Sequence, residues 1–146
     1  MTGEFWKSLK AWWATGESHG EKRSTLVTAA LTLSFVKEHY EAGVPADIIS
    51  PIDPATYNFD YLQNIAPIKK REIMLDLLYD YGTNVELYPA FQKYFRETPV
   101  PLLAVWGKND ALFVYPGAGA FKRDVKNAKV EFLDGGHFLL ETHIKR

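Results

Sequence analysis

The chain has no cysteine, so no disulfide staples it and its redox compartment is left open. It has almost no net charge, −1 at neutral pH, which removes the electrostatic case for binding nucleic acid or an anionic membrane. It has no long hydrophobic run. The longest apolar stretch, Val27 to Val36, is interrupted by threonine and serine and falls far short of the roughly 20 residues a bilayer span needs. No short apolar core followed by a small-residue cleavage site opens the chain, so no secretory signal is evident. Nothing matches a phosphate-binding loop or a dinucleotide fingerprint, so no cofactor is expected. These absences leave a soluble, cytoplasmic protein with no nucleic-acid and no membrane partner as the expectation.

What is present is apolar and aromatic: 47% of the 146 residues are hydrophobic and 14% are Phe, Trp or Tyr. That composition excludes disorder, and the length suits one domain burying about two thirds of its unfolded surface. The aromatic load begins at once. Phe5, Trp6, Leu9, Trp12 and Trp13 share one helical face, and Gly16 marks a stop. Such a face either packs on a neighbouring core or lies on a membrane surface beside its lysines; the face is short and its flanking charge weak, which favours packing.

A second helix is expected over Lys22 to Glu41, with Leu26, Ala29, Ala30, Leu33, Val36 and Tyr40 in helical phase, Gly43 as its end and His39 as a solvated residue. Val44 to Pro54 holds three prolines and reads as a connection. Tyr57 to Ile65 suggests a short helix closed by Pro67. Lys69-Lys70-Arg71 opens another helix through Tyr81, against the macrodipole; the run is a solvated face or a contact for an anion or partner. Gly82 is read as that helix's end, Asn84 as the next cap, and Pro89 as a first-turn proline before Phe91, Tyr94 and Phe95.

After Pro99 the pattern changes. Val100 to Trp106 is an unbroken apolar run, as in a strand buried on both faces of a parallel sheet. Pro116 to Asp124 reads as a crossover helix weakened by Gly117 and Gly119, each costing about 1 kcal/mol relative to alanine. Lys129 to Phe132 alternates as an edge strand does. Each strand ends in a polar turn with one titratable residue, Asp110 after the first and His137 after the second. The carboxyl ends of parallel strands open on one rim, where ligands bind. Singly, Asp110 is a turn carboxylate and His137 a loop histidine; together they suggest an acid that orients a general base. Asp134 competes as the acid but sits on the histidine's own turn. A metal reading needs His137, Glu141 and His143 to converge, and His143 would point away on a helix, so no metal is expected.

The run WGKND, followed after a helix by LDGGHF and LLET, resembles the end of an α/β-hydrolase fold enzyme, in the branch of haloalkane dehalogenases and epoxide hydrolases. The resemblance implies that Asp110 is the triad acid and His137 the base. It extends upstream, where FWKSLKAWW and IMLDLLYDYGTNVELYPAFQKYF resemble that branch's cap. The implied architecture is α/β: a helical cap (lid) over residues 1–98, then a C-terminal piece of the hydrolase core over 99–146 built as a parallel strand-helix-strand unit. Trp12, Tyr79 and Tyr81 are the expected pocket walls for a small apolar substrate. The family's nucleophile elbow, a Gly-x-nucleophile-x-Gly turn upstream of the cap, is absent from this sequence, so the chain reads as the back half of a hydrolase. The implied chemistry is cleavage of carbon–halogen, epoxide or ester bonds, inactive in this chain alone; the alternative is a truncated, non-catalytic association module that forms a homo-oligomer or binds a complementary half.

Overall fold

A computed structural model describes residues 4–49 and 52–143. Pro51 of the proline-rich connection and the last three residues of the C-terminal piece lie outside them. The chain is a mixed α/β structure, helical through Glu97 and then built around two strands.

Helix α1 (Glu4–Trp13) turns Trp6, Leu9 and Trp12 inward, the last two fully enclosed. A buried indole needs a partner for its N–H, and each one here has it. Trp6 donates to the Leu112 carbonyl at 2.7 Å, Trp12 to Glu17 at 3.0 Å and Trp13 to Leu78 at 3.0 Å. The aromatic face is therefore packed against the chain itself. Gly16 follows with φ +70, the left-handed conformation that glycine adopts without penalty.

The single helix expected over Lys22 to Glu41 is two helices, α2 (Glu21–Ala30) and α3 (Leu33–Glu41). The break has a local cause. Thr32 is extended, and its hydroxyl oxygen accepts the Phe35 N–H at 3.2 Å, capping α3 while Leu31 drops into the core. After α4 (Ala46–Ile49), Asp53 caps α5 (Pro54–Asn64) by accepting the Ala55 N–H, with Pro54 at its first position. Helix α6 (Ile68–Asp80) packs on α1 and is tied to α2 by Arg23. That guanidinium is buried and donates to Glu72 at 2.5 Å, to Asp76 at 2.8 Å and to the Glu72 carbonyl at 3.1 Å.

Gly82 does not end a helix; it begins α7 (Gly82–Glu97), with helical Tyr81 joining it to α6. What the position needs is room, since a Cβ there would press into the Trp13 indole at 3.0 Å. Because α7 starts earlier than Asn84, Pro89 falls inside it rather than in its first turn and removes one helix hydrogen bond.

Strands β1 (Leu103–Gly107) and β2 (Lys129–Leu133) pair in parallel, with Leu103 opposite Lys129 and Gly107 opposite Leu133. Between them the expected crossover helix is two short pieces, α8 (Pro116–Gly119) and α9 (Phe121–Asp124); α10 (Leu139–Thr142) follows β2. β1 is not buried on both faces. Ala104 is covered, but Leu103 is 63% and Val105 43% exposed, because β2 is its one neighbouring strand among the described residues and that face has no layer over it. The main core lies instead among the helices, where Trp6, Leu9, Trp12, Leu26, Leu31, Ile65 and Leu75 cluster.

Three contacts lock the helical part onto the strand ends. The Asn109 amide donates to the Gly43 carbonyl at 2.8 Å, and Gly43 (φ +77) lies so close that a Cβ would strike Asn109. Gly136 lies against the Ala42 carbonyl, and Tyr40 stacks on Phe138 at 4.1 Å while donating to Asp60 at 2.6 Å.

Candidate active site

The turn after β1 is built by hydrogen bonds to the turn after β2. Lys108 N–H donates to Leu133 at 2.9 Å and Asn109 N–H to Gly135 at 3.1 Å. Gly107 permits this approach, since a side chain there would collide with the carbonyls of Gly135 and Gly136. The two strand ends are thereby held edge to edge, and Asp110 meets His137.

Asp110 is 7% exposed, and both of its oxygens are engaged. One accepts the backbone N–H groups of Leu112 and Phe113, at 2.8 and 2.9 Å. The other stands 3.0 Å from His137 Nδ1. The turn-forming role and the histidine contact thus coexist in one carboxylate. A carboxylate only accepts, so Nδ1 carries the proton. In the neutral ring Nε2 is then a free lone pair, and it has no hydrogen-bond partner among the described residues. The ring lies flat against Phe113, with centroids 5.5 Å apart, and edge-on to Phe138 at 4.8 Å. Its side chain is 26% exposed, so a small molecule can reach it. A tautomer fixed by a buried acid, with the second nitrogen open, is the arrangement a general base requires.

Asp134 does not reach the histidine; it accepts from Asn109 at 3.0 Å and stiffens the turn. Among the described residues no group of three or more metal-ligating side chains converges, and His143 shares a hydrogen bond with Thr142 at 2.8 Å.

Both members of the pair line a hollow of about 380 Å³ together with Trp106, Phe113, Phe138 and Leu140. A cavity of about 350 Å³ is lined by Asp110, His137, His39, Glu38, Phe35 and Trp6. A larger one, about 720 Å³, lies beyond Phe113 and is walled by Tyr81, Tyr88, Phe91, Trp106 and Phe121. Tyr81 lines this larger hollow, which neither Asp110 nor His137 reaches, and its hydroxyl is 3.1 Å from that of Tyr88. Burial and this hydrogen bond push the Tyr88 phenol up to about 12. Trp12 and Tyr79 line none of these three hollows. Trp12 is a core residue with no exposed surface, and Tyr79 packs on it at 5.0 Å, because the inward face of α1 is filled by α6.

His39 is not a solvated residue. It is half-buried, its Nδ1 stands 2.5 Å from the Phe35 carbonyl, and its ring lies 4.0 Å from the Phe35 ring and 6.2 Å from that of His137. Its spacing of four from Phe35 and three from Val36 was the available signal that it shares an inward helix face. Burial lowers its pKa below the ordinary imidazole value. The unfolded chain therefore binds a proton at His39 before the folded chain does. Stability should fall as pH drops below about 6.5. Urea unfolding of the wild type and His39→Gln at pH 7.5 and 5.5 checks this: the variant should lose less on acidification.

No protein-family model matches the chain, and no solved structure matches it. It is 41% identical over 144 residues to the uncharacterized hydrolase YNR064C of Saccharomyces cerevisiae (strain ATCC 204508 / S288c). The likeness is to a hydrolase. The match covers 99% of this chain and 49% of the yeast protein, so the chain spans about half the length of the relative it matches. Among the described residues no helix is long and apolar enough to cross a membrane.

Proposed function

We propose that this is a hydrolase-like protein of the α/β-hydrolase fold, in which Asp110 and His137 are the acid–base pair for cleaving carbon–halogen, epoxide or ester bonds of small apolar substrates. The contact of 3.0 Å between Asp110 and His137 at the ends of two parallel strands carries this reading, and the likeness to a yeast hydrolase supports it. His137 Nε2 takes a proton from the water that attacks a covalent intermediate, while Asp110 holds the ring and balances the imidazolium. Residues 1–98 act as the lid that excludes water, and Tyr81 contributes to an apolar substrate wall. The sequence supplies no nucleophile elbow, so the chain by itself turns nothing over.

Two assays test this. The purified chain should release no halide, diol or nitrophenol above buffer; release abolished by His137→Ala would overturn the claim that it is inactive alone. Exchanged for the 144 aligned residues of the yeast relative, it should support turnover on such substrates, lost when His137 is replaced. A folded chimera whose turnover survives that replacement overturns the acid–base reading.

A second reading, a non-catalytic association module, is favoured by β1, whose outer edge is unpaired among the described residues and whose Leu103 and Val105 lie open. Such a surface calls for a second copy or a complementary hydrolase half. Size-exclusion chromatography with hydrogen exchange decides it: a protected monomer unfolding in one sharp transition rules it out.

A further inference from the structure

His39 has no task in the chemistry above, yet it stands on the wall of the same small cavity as Asp110 and His137. Its ring is held on two sides. Nδ1–H donates to the Phe35 carbonyl, which fixes the tautomer, and the Phe35 ring packs against it. Nε2 is therefore an unprotonated acceptor. It has no partner among the described residues and is not sealed in, since the buried side-chain polar atom left unpaired among them is His143 Nε2. The ring centroids of His39 and His137 are 6.2 Å apart at 78°, too far for a direct hydrogen bond between the two rings and within reach of one intervening water.

We propose that His39 is a positioning residue of this site: its bare Nε2 accepts, through one bridging water, the hydrogen bond that His137 gives through Nε2 once His137 has taken a proton. This rests on the hydrolase reading. In that reaction the attacking water gives one proton to His137 while its oxygen bonds to the carbon of an ester intermediate. The displaced alkoxide then takes that proton as it leaves. Between those events His137 is an imidazolium with two N–H groups. Asp110 holds the first; the second, on the side of Phe35 and Trp6, needs an acceptor of its own. A neutral imidazole serves, and a charged one would repel. The groups that face His39 are Glu38 on its own helix, Asp110 and His137 across the cavity, and Asp60 across the hollow behind it. Burial keeps His39 neutral against that surround, and a charge on His137 disfavours a second one beside it.

The test is a ¹⁵N NMR titration of the imidazoles in the full 146-residue chain, comparing wild type with His39→Leu and His39→Gln. Leucine removes the acceptor and should weaken proton binding at His137 roughly threefold or more. Glutamine keeps an acceptor oxygen and should restore most of it. An unchanged or tighter His137 in His39→Leu overturns the proposal, as does an equal loss in both variants. Should leucine unfold the chain, the wild-type spectrum still decides: a His39 protonated at Nε2 at neutral pH overturns it. These readouts need no turnover. A chimera that is dead on every substrate would count against the hydrolase reading, whereas an unresponsive His137 would count against His39 alone.

Discussion

Asp110→Asn should turn His137 over to its other tautomer. The oxygen that accepts from Leu112 and Phe113 cannot be exchanged for an amide nitrogen without facing two N–H donors with a third. Each backbone donor left unpaired there costs about 1–3 kcal/mol. The asparagine must therefore keep its oxygen on those donors and present its NH₂ to His137 Nδ1. That nitrogen then has to be the acceptor, and the proton moves to Nε2, where it blocks the lone pair that the proposed general base would use. Long-range ¹H–¹⁵N correlation of the imidazole should show protonation switching from Nδ1 to Nε2, with stability little changed because the side chain is isosteric. In the yeast chimera turnover should drop by about 10⁴, the cost of the wrong tautomer in a comparable triad. A His137 that stays protonated at Nδ1 would show that the aspartate does not set its state.

Trp12→Ala should give the largest loss of stability of any single change considered. The indole has no exposed surface, packs on Tyr79 at 5.0 Å and shares a core with Leu9 and Leu75, which are also enclosed. Truncating a large buried aromatic costs about 3–5 kcal/mol in lost transfer energy and cavity formation. Against a total stability of about 5–15 kcal/mol for a domain, that removes a large share. Urea unfolding at neutral pH reads it directly. Tyr79→Ala, at the partly exposed margin of the same cluster, should cost less. A Trp12→Ala loss below about 1 kcal/mol would mean that α1 is not the centre of the core. The same enclosure explains why Trp12, expected as a pocket wall, lines no hollow among the described residues.

Much of the helical scaffold was legible in the residues. The inward face of α1, the glycine stops at Gly16 and Gly43 and the helix opened by Lys69-Lys70-Arg71 all follow from local spacing and backbone conformation, which neighbours in sequence determine. The split at Leu31–Thr32 was not, because a threonine in helical phase and a threonine that caps the next helix look alike until the chain bends. Gly82 misled for a similar reason. Glycine signals both a helix end and a close approach, and here the Trp13 indole, far off in sequence, made the choice.

The sequence by itself determined which groups stand at the strand ends: an acid after the first strand and an imidazole after the second, with an aromatic helical block before them. Periodicity and turn residues suffice for that, since they act over a few residues. The tertiary structure alone decided which partners those groups meet. It gave Asp110 two backbone N–H groups and His137 at once, turned Asp134 to Asn109 and brought His39 from another helix to the same cavity. Pairings of that kind depend on how elements distant in sequence pack, and the spacing of residues along a chain carries no record of it.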